Sequence, residues 1–448
     1  MQTKQMAWGQ LLSRERWGRE AGVPAAGTDS GGDEFRSPFE RDYGRILYSS
    51  AFRRLQDKTQ VFPIGRNDYV RTRLTHSLEV ANIGASLGRI VGEKLIERHE
   101  ALRERGFMAS YFSSIVGAAC LAHDIGNPPF GHFGEAAIES ALEKLDLCKA
   151  IPGTFPKKFE GNAQGFRLLT RTGDPMAGKG LKLTAAVLGA FMKYPCAAEF
   201  SGKNCGIAGK KFGFIGEDAP AARFVTEKTG MLPRSDNPDG NVLSWCRHPL
   251  AFLTEAADDL SYLIADFEDA FVSKIISFEA IREFLFPFIS GEERSRADSI
   301  ARIESEESAV HYVRAVAIGN GIRAASRTFL ENEDALLAGT QNLSLLESSE
   351  YAGAMRALRE FSFKHVYNAP SVVEIELMGF RVIEALLAFF VEWVKFPHSA
   401  KGGKIALMLR GEALSDASES ARLLHLLDYV SGMTDSFALA TYRKLHGI

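Results

Sequence analysis

The stretch from Cys120 to Glu135, CLAHDIGNPPFGHFGE, carries two histidines and two carboxylates in sixteen residues. An apolar run leads into His123 and Asp124, and Gly126, Pro128 and Pro129 then stop the helix and turn the backbone. A neutral imidazole and a carboxylate are natural ligands for a borderline divalent cation. A His-Asp pair alone is a weak signal, and its weight comes from other blocks. His76 opens an amphipathic segment in RLTHSLE, with Arg73 one turn before it. In the block EAADDLSYLIAD, Asp258, Tyr262 and Asp266 are each four apart and stack on one helix face. An aspartate among Ala, Leu and Ile is expensive to bury without a metal or a hydrogen-bond donor. His76, His123, Asp124 and Asp258 therefore form a candidate ligand set for Mg, Mn, Fe, Ni or Zn. Ligand type does not choose among these ions.

A further block is basic. Residues 36–73 hold nine Arg and Lys against four acids, in a chain whose net charge is −3. Clustered guanidinium groups suit anionic phosphate, whose oxygens they bind bidentately. At least one of these residues is expected to touch phosphate.

The elements that must position these groups are helices. Apolar residues recur at helical spacing after His76, at 78, 81, 83, 87, 90 and 91. The same reading makes helices of 8–20, 111–125, 134–146, 162–171, 183–193, 250–271, 277–287, 298–318, 344–362, 372–395 and 418–446. Residues 21–34 read as a mobile loop rich in Gly, Ala and Ser. A small β-hairpin near Lys210–Ile215 is expected within an irregular excursion over 196–245. The expectation is an all-α chain forming one helical body over 1–448. Its candidate metal core lies at 36–270, with a helical C-terminal part, 271–448, packed on it.

Composition excludes several classes. At 448 residues, 46% hydrophobic and 24% charged, the chain is ordinary for a globular protein. The five cysteines form no CxxC pair, as expected of reduced thiols. The first residues lack a signal-type apolar run, and the strongest apolar stretch, Val382–Val394, is too short to span a bilayer. A cytoplasmic protein with no membrane partner is expected.

These blocks resemble the HD-domain metal phosphohydrolases, and more narrowly the bacterial dGTP triphosphohydrolases. The likeness extends to RDYGRI at 41–46, AFRRLQDKTQVFP at 51–63, FEGNAQ at 159–164, RHPL at 247–250 and GMTD at 432–435. The resemblance implies that His76, His123, Asp124 and Asp258 ligate a divalent metal. It implies that Gln60 and Asp266 read the sugar 3′-hydroxyl, and that Tyr262 packs against the deoxyribose where a 2′-hydroxyl would clash. Arg73 is then a phosphate contact, and His132 and Glu135 the catalytic pair near the α-phosphate. Asn162 and Gln164 lie in a family motif, and Tyr367 resembles a further substrate-side tyrosine. Some members carry His at the position of Gly161, so this chain offers no catalytic His there.

The activity so implied is metal-dependent hydrolysis of a 2′-deoxynucleoside triphosphate, dGTP first among them, to deoxynucleoside and intact triphosphate. An imidazole can give, take or share a proton, so His132 beside Glu135 can protonate the leaving group, activate water or attack directly. The resemblance also implies a homo-oligomer, a hexamer in many members, and in some a response to single-stranded DNA or an effector nucleotide. Two other readings keep the same residues: an HD-type phosphodiesterase acting on another nucleotide or on single-stranded nucleic acid, and a nucleotide-sensing binding protein with a vestigial metal site.

Overall fold

A computed structural model describes residues 5–18, 36–62, 69–147, 158–171, 180–202, 205–234, 237 and 242–447. The loop expected at 21–34 lies outside them, as does Arg66 of the basic block. The helices used below are α1 (Pro38–Leu47), α2 (Arg73–Arg98), α3 (Ala109–Ala122), α4 (Gly131–Lys144), α5 (Gly161–Thr170), α6 (Ala185–Phe191), α7 (Pro249–Val272), α8 (Glu306–Glu331), α9 (Pro370–Lys395), α10 (Ala400–Leu409), α11 (Glu419–Ser431) and α12 (Asp435–His446). The chain is all-α among its described residues; pairing outside helices is confined to isolated bridges.

The helix starts follow local chemistry. Ser37 and Glu40 make a reciprocal capping box at α1, and Thr72 with Thr75 makes one at α2. His248 caps α7, its Nδ1 accepting from the Leu250 N–H, and Pro249 fills the first position. α3 is apolar almost all round and buried from Ile115 to Ala122, as a central helix must be.

Two apolar clusters make the interior. One gathers α2, α3, α6, α7 and α8; the other joins α4 to α9–α12 through Phe130, Ile138, Leu386, Phe390, Trp393 and Leu426. α2 and α3 meet along Gly84, Gly88 and Gly92. A Cβ at Gly88 would lie 2.6 Å from the Phe112 carbonyl oxygen, so only glycine allows this approach. That seam sets His76 beside His123. Arg71 ties the start of α2 to α7: it donates to Glu79 at 2.7 Å, to Glu268 at 2.6 Å, and to Asp269. Removing one partner of so buried a network costs about 3–5 kcal/mol, so this contact fixes α2 against the helix that carries Asp258.

Several expected elements differ. The segment at 210–215 forms no hairpin: Phe212, Phe214 and Ile215 are all buried, so the alternation is no strand face. Phe212 and Ile215 pack with Ala163 and Leu424, Phe214 meets Phe166 and Trp245, and one parallel bridge joins Phe214 to Ala197. Among the described residues of the helix expected at 8–20, 8–18, only Trp8–Leu11 is helical, and Arg16 instead bridges to Thr184. The pattern read at 298–318 crosses two helices, because Ser305 caps α8. The pattern at 418–446 divides where Thr434 caps α12. The pattern at 344–362 becomes helical only from Ala352. No helix among the described residues is long and apolar enough to cross a membrane.

Candidate active site and metal centre

α3 ends at Ala122, and His123 sits on its C-cap. There its Nδ1 lies 2.7 Å from the Cys120 carbonyl oxygen, which fixes the proton on Nδ1 and leaves a lone pair on Nε2. That Nε2 is buried and has no hydrogen-bond partner. It faces Asp258 Oδ1 at 3.4 Å, and His76 Nε2 meets the same oxygen at 3.4 Å. Ser261 Oγ lies 3.4 Å from the other nitrogen of His76. Ligand atoms of His76, His123 and Asp258 all fall within 4.8 Å of one another.

Asp124 stands beside this trio. Its Oδ1 is 3.5 Å from His123 Nε2, but it accepts from Asn127 at 2.6 Å, while Oδ2 accepts from Arg73 at 2.7 Å. Burial raises the Asp124 carboxyl, and Arg73, His123 and His76 more than reverse that, holding it down at about 2. Burial likewise acts upward on Asp258, yet His123, His76 and Lys193 hold it well below the usual range. Both carboxylates stay ionised at neutral pH. Two imidazoles with oriented lone pairs, an anionic oxygen between them and an unsatisfied buried nitrogen fit a divalent cation.

The trio opens on a cavity of about 550 Å³, within the range of small-ligand pockets. Gln60, Arg73, His132, Glu135, Tyr262 and Tyr367 line it. Gln60 Oε1 and Arg73 Nε are buried without partners. His132 Nδ1 donates to Glu135 Oε2 at 2.9 Å, and Glu135 Oε1 accepts from the Gly161 N–H at 2.8 Å. Burial pushes the Glu135 carboxyl up, but His132, Lys211 and the Gly161 N–H bring it below its ordinary value. The His132 side chain is 74% exposed, open to a ligand in the cavity.

Tyr262 and Tyr367 stack, with ring centroids 5.4 Å apart and planes at 18°. Asp266 does not reach the cavity wall. It is buried behind the tyrosines, where Tyr367 donates to its Oδ2 at 3.5 Å, and its Oδ1 has no partner. Burial and the neighbouring Asp269 raise its carboxyl well above the usual range. Asn162 lines the cavity, whereas Gln164 points away and donates to Asp428 at 2.8 Å.

Of the described basic residues at 36–73, Arg73 lines the cavity. Others serve the fold: Arg45 donates to the Lys182 carbonyl at 2.6 Å, and Lys58 to the Ser431 carbonyl at 2.8 Å. Two cations that no motif marks complete the lining. Lys193 lies 3.5 Å from Glu255 and 3.9 Å from Asp258, and Lys211 lies 3.2 Å from Glu160.

The HD-domain profile matches residues 73–163, and the phosphohydrolase-associated domain profile matches residues 346–444. A deoxyguanosinetriphosphate triphosphohydrolase-like protein of Synechocystis sp. is 40% identical over 99% of this chain and 100% of its own length. One from Listeria monocytogenes is 33% identical over 99% of this chain and 100% of its own. A Yersinia enterocolitica protein named deoxyguanosinetriphosphate triphosphohydrolase is 31% identical over 95% of this chain and 97% of its own. The chain is a hydrolase and belongs to the deoxyguanosinetriphosphate triphosphohydrolase-like family of HD-domain phosphohydrolases.

Proposed function

We propose that this protein hydrolyses 2′-deoxynucleoside triphosphates, dGTP first among them, to deoxynucleoside and inorganic triphosphate. The observation that carries the reading is the unpartnered Nε2 of His123, facing Asp258 beside a cavity lined by Arg73, Lys193 and Lys211. Carboxylates also line the cavity, so it is a divalent ion at the ligand triad, added to these three cations, that would suit it to a polyanion. The names of the relatives point the same way.

His76, His123, Asp124 and Asp258 would hold the metal, which when bound supplies positive charge to the phosphate oxygens and acidifies water. Arg73, Lys193 and Lys211 hold the triphosphate and offset charge that develops at the α-phosphorus. Water adds to that phosphorus, and the bond to O5′ breaks. O5′ is a poor leaving group and takes a proton from Nε2 of His132 in its imidazolium form, while the attacking water releases one proton to solvent. Glu135 holds the Nδ1–H of His132, so Nε2 is the nitrogen that exchanges protons with the substrate. Gln60, with an unsatisfied buried oxygen, accepts from the 3′-hydroxyl. The Tyr262–Tyr367 stack packs against the deoxyribose, and Asp266 braces it from behind through Tyr367. A cytoplasmic homo-oligomer that responds to single-stranded DNA or an effector nucleotide is the setting this reading carries with it.

The experiment is turnover of dGTP, GTP and 2′,3′-dideoxy-GTP across several divalent metals, with nucleoside and triphosphate resolved. Loss of the 3′-hydroxyl is expected to cost roughly 10²-fold or more in kcat/KM, since Gln60 is left unpaired. Equal turnover of dGTP and GTP would remove the packing role of Tyr262.

A further inference from the structure

Two cavity-lining segments far apart in the chain are held by one side chain from its C-terminal end. Asp435 is the first residue of α12, after the Thr434 cap, and is buried. Its Oδ2 accepts from the Thr59 N–H at 2.9 Å and the Thr59 hydroxyl at 2.7 Å. Its Oδ1 accepts from the Phe130 N–H at 2.9 Å. Thr59 precedes Gln60. Phe130 lies two residues before His132 and occupies the left-handed region at φ 62°. A bulky residue there costs on the order of 1 kcal/mol or more, so the turn needs support from its surroundings. The captured N–H of Phe130 provides it.

A second contact works in the same direction. Lys58 Nζ donates to the Asn127 carbonyl at 2.5 Å and to the Ser431 carbonyl at 2.8 Å. Residues 431–435 thus grip both the 58–60 segment and the 127–130 turn. We infer that Asp435 is a positioning residue, whose carboxylate sets the Gln60 segment and the His132 turn in register across the cavity. Three donors converge on its two oxygens, which is why the group must be a carboxylate. An asparagine has one acceptor oxygen, and its amide would face a donor. The inference rests on the proposed roles of Gln60 and His132, but the clamp itself is observable without substrate.

The test compares wild type, Asp435→Asn and Thr59→Val by hydrogen exchange and kinetics, with metal content and melting temperature as folding controls. In Asp435→Asn, peptides covering Thr59 and Phe130 should both exchange faster, while peptides of α7 are unchanged. kcat should fall by roughly tenfold to a hundredfold, the cost of a small misplacement of reacting groups. The ratio of kcat/KM for dGTP over 2′,3′-dideoxy-GTP should narrow, a quantity that partial unfolding does not move. Thr59→Val removes one of the three donors and should narrow the ratio less; it carries the test if Asp435→Asn does not fold. Unchanged exchange at either segment in folded Asp435→Asn overturns the clamp, whatever the enzyme hydrolyses. Faster exchange at both with a wild-type kcat and ratio, or a wild-type ratio in Thr59→Val, overturns the positioning role.

Discussion

His123 Nε2 and Asp258 Oδ1 face each other at 3.4 Å, although α3 and α7 reach that point from distant parts of the chain. The Cys120 carbonyl holds the other His123 nitrogen, so the ring cannot turn away without losing that bond. His123→Gln and Asp258→Ala are therefore expected to bind divalent metal far more weakly, with the bound ion falling from about one per chain to near zero. Ser261→Ala, which removes the group beside His76 Nδ1, should weaken metal affinity by roughly tenfold. Metal analysis after gel filtration checks both. Wild-type metal content in Asp258→Ala would exclude this carboxylate as a ligand.

The proposed catalytic pair, His132 and Glu135, lets chemistry be tested apart from metal binding. Neither side chain belongs to the ligand trio. His132→Ala should lower kcat by about 10²–10⁴-fold and leave metal content intact. Glu135→Gln keeps an acceptor for one of its two donors and should lose less. A His132→Ala enzyme that is folded, metal-loaded and nearly as fast as wild type would contradict the assignment.

Gly161 supports that pair through its backbone. A Cβ there would lie 2.3 Å from Asn127 Oδ1 and 2.9 Å from Glu135 Oε1. Gly161→Ala should destabilise the protein by about 1–3 kcal/mol and lower kcat by displacing Glu135. Urea denaturation and steady-state kinetics test it, and an unaffected kcat would show that Glu135 does not depend on this contact.

His248 gives a pH dependence. It is fully buried, its Nε2 lies 3.1 Å from the Leu11 carbonyl oxygen, and burial pushes it down to about 4 from 6.5. The unfolded chain binds this proton below pH 6.5 and the native chain only near 4. Its contribution is complete above 6.5 and is lost as pH falls from 6.5 to 4. The loss is on the order of 3 kcal/mol. His248→Asn, which can still cap α7, should start less stable but show a shallower decline over that window. Denaturation midpoints from pH 7.5 to 4.5 decide, and parallel slopes would contradict it.

The candidate ligands were legible because each stands in a local context that marks it: His123 and Asp124 at an apolar run's end, Asp258 among alanines and leucines. Depth was not legible. Four-residue spacing put Asp266 on the face of Asp258 and Tyr262, but spacing says nothing of how far a side chain sits behind its neighbours. The cations were half legible. The excess of arginine at 36–73 is largely structural, as Arg71 shows by bonding three acids. Lys193 stands alone in the sequence and Lys211 follows Lys210, neither in a motif that marks it, and only the fold brings them to the cavity. The alternation at 210–215 misled because Gly213, itself buried between Phe212 and Phe214, interrupts the apolar run as an outward-facing residue of a half-buried strand would.

The most direct test is hydrolysis of dGTP in ¹⁸O-water by the metal-loaded protein, with products resolved by mass spectrometry. The account predicts unlabelled deoxyguanosine and a triphosphate carrying one ¹⁸O, because water enters at the α-phosphorus and leaves O5′ with the sugar. Pyrophosphate with dGMP, label in the nucleoside, or no turnover with any divalent metal would contradict it.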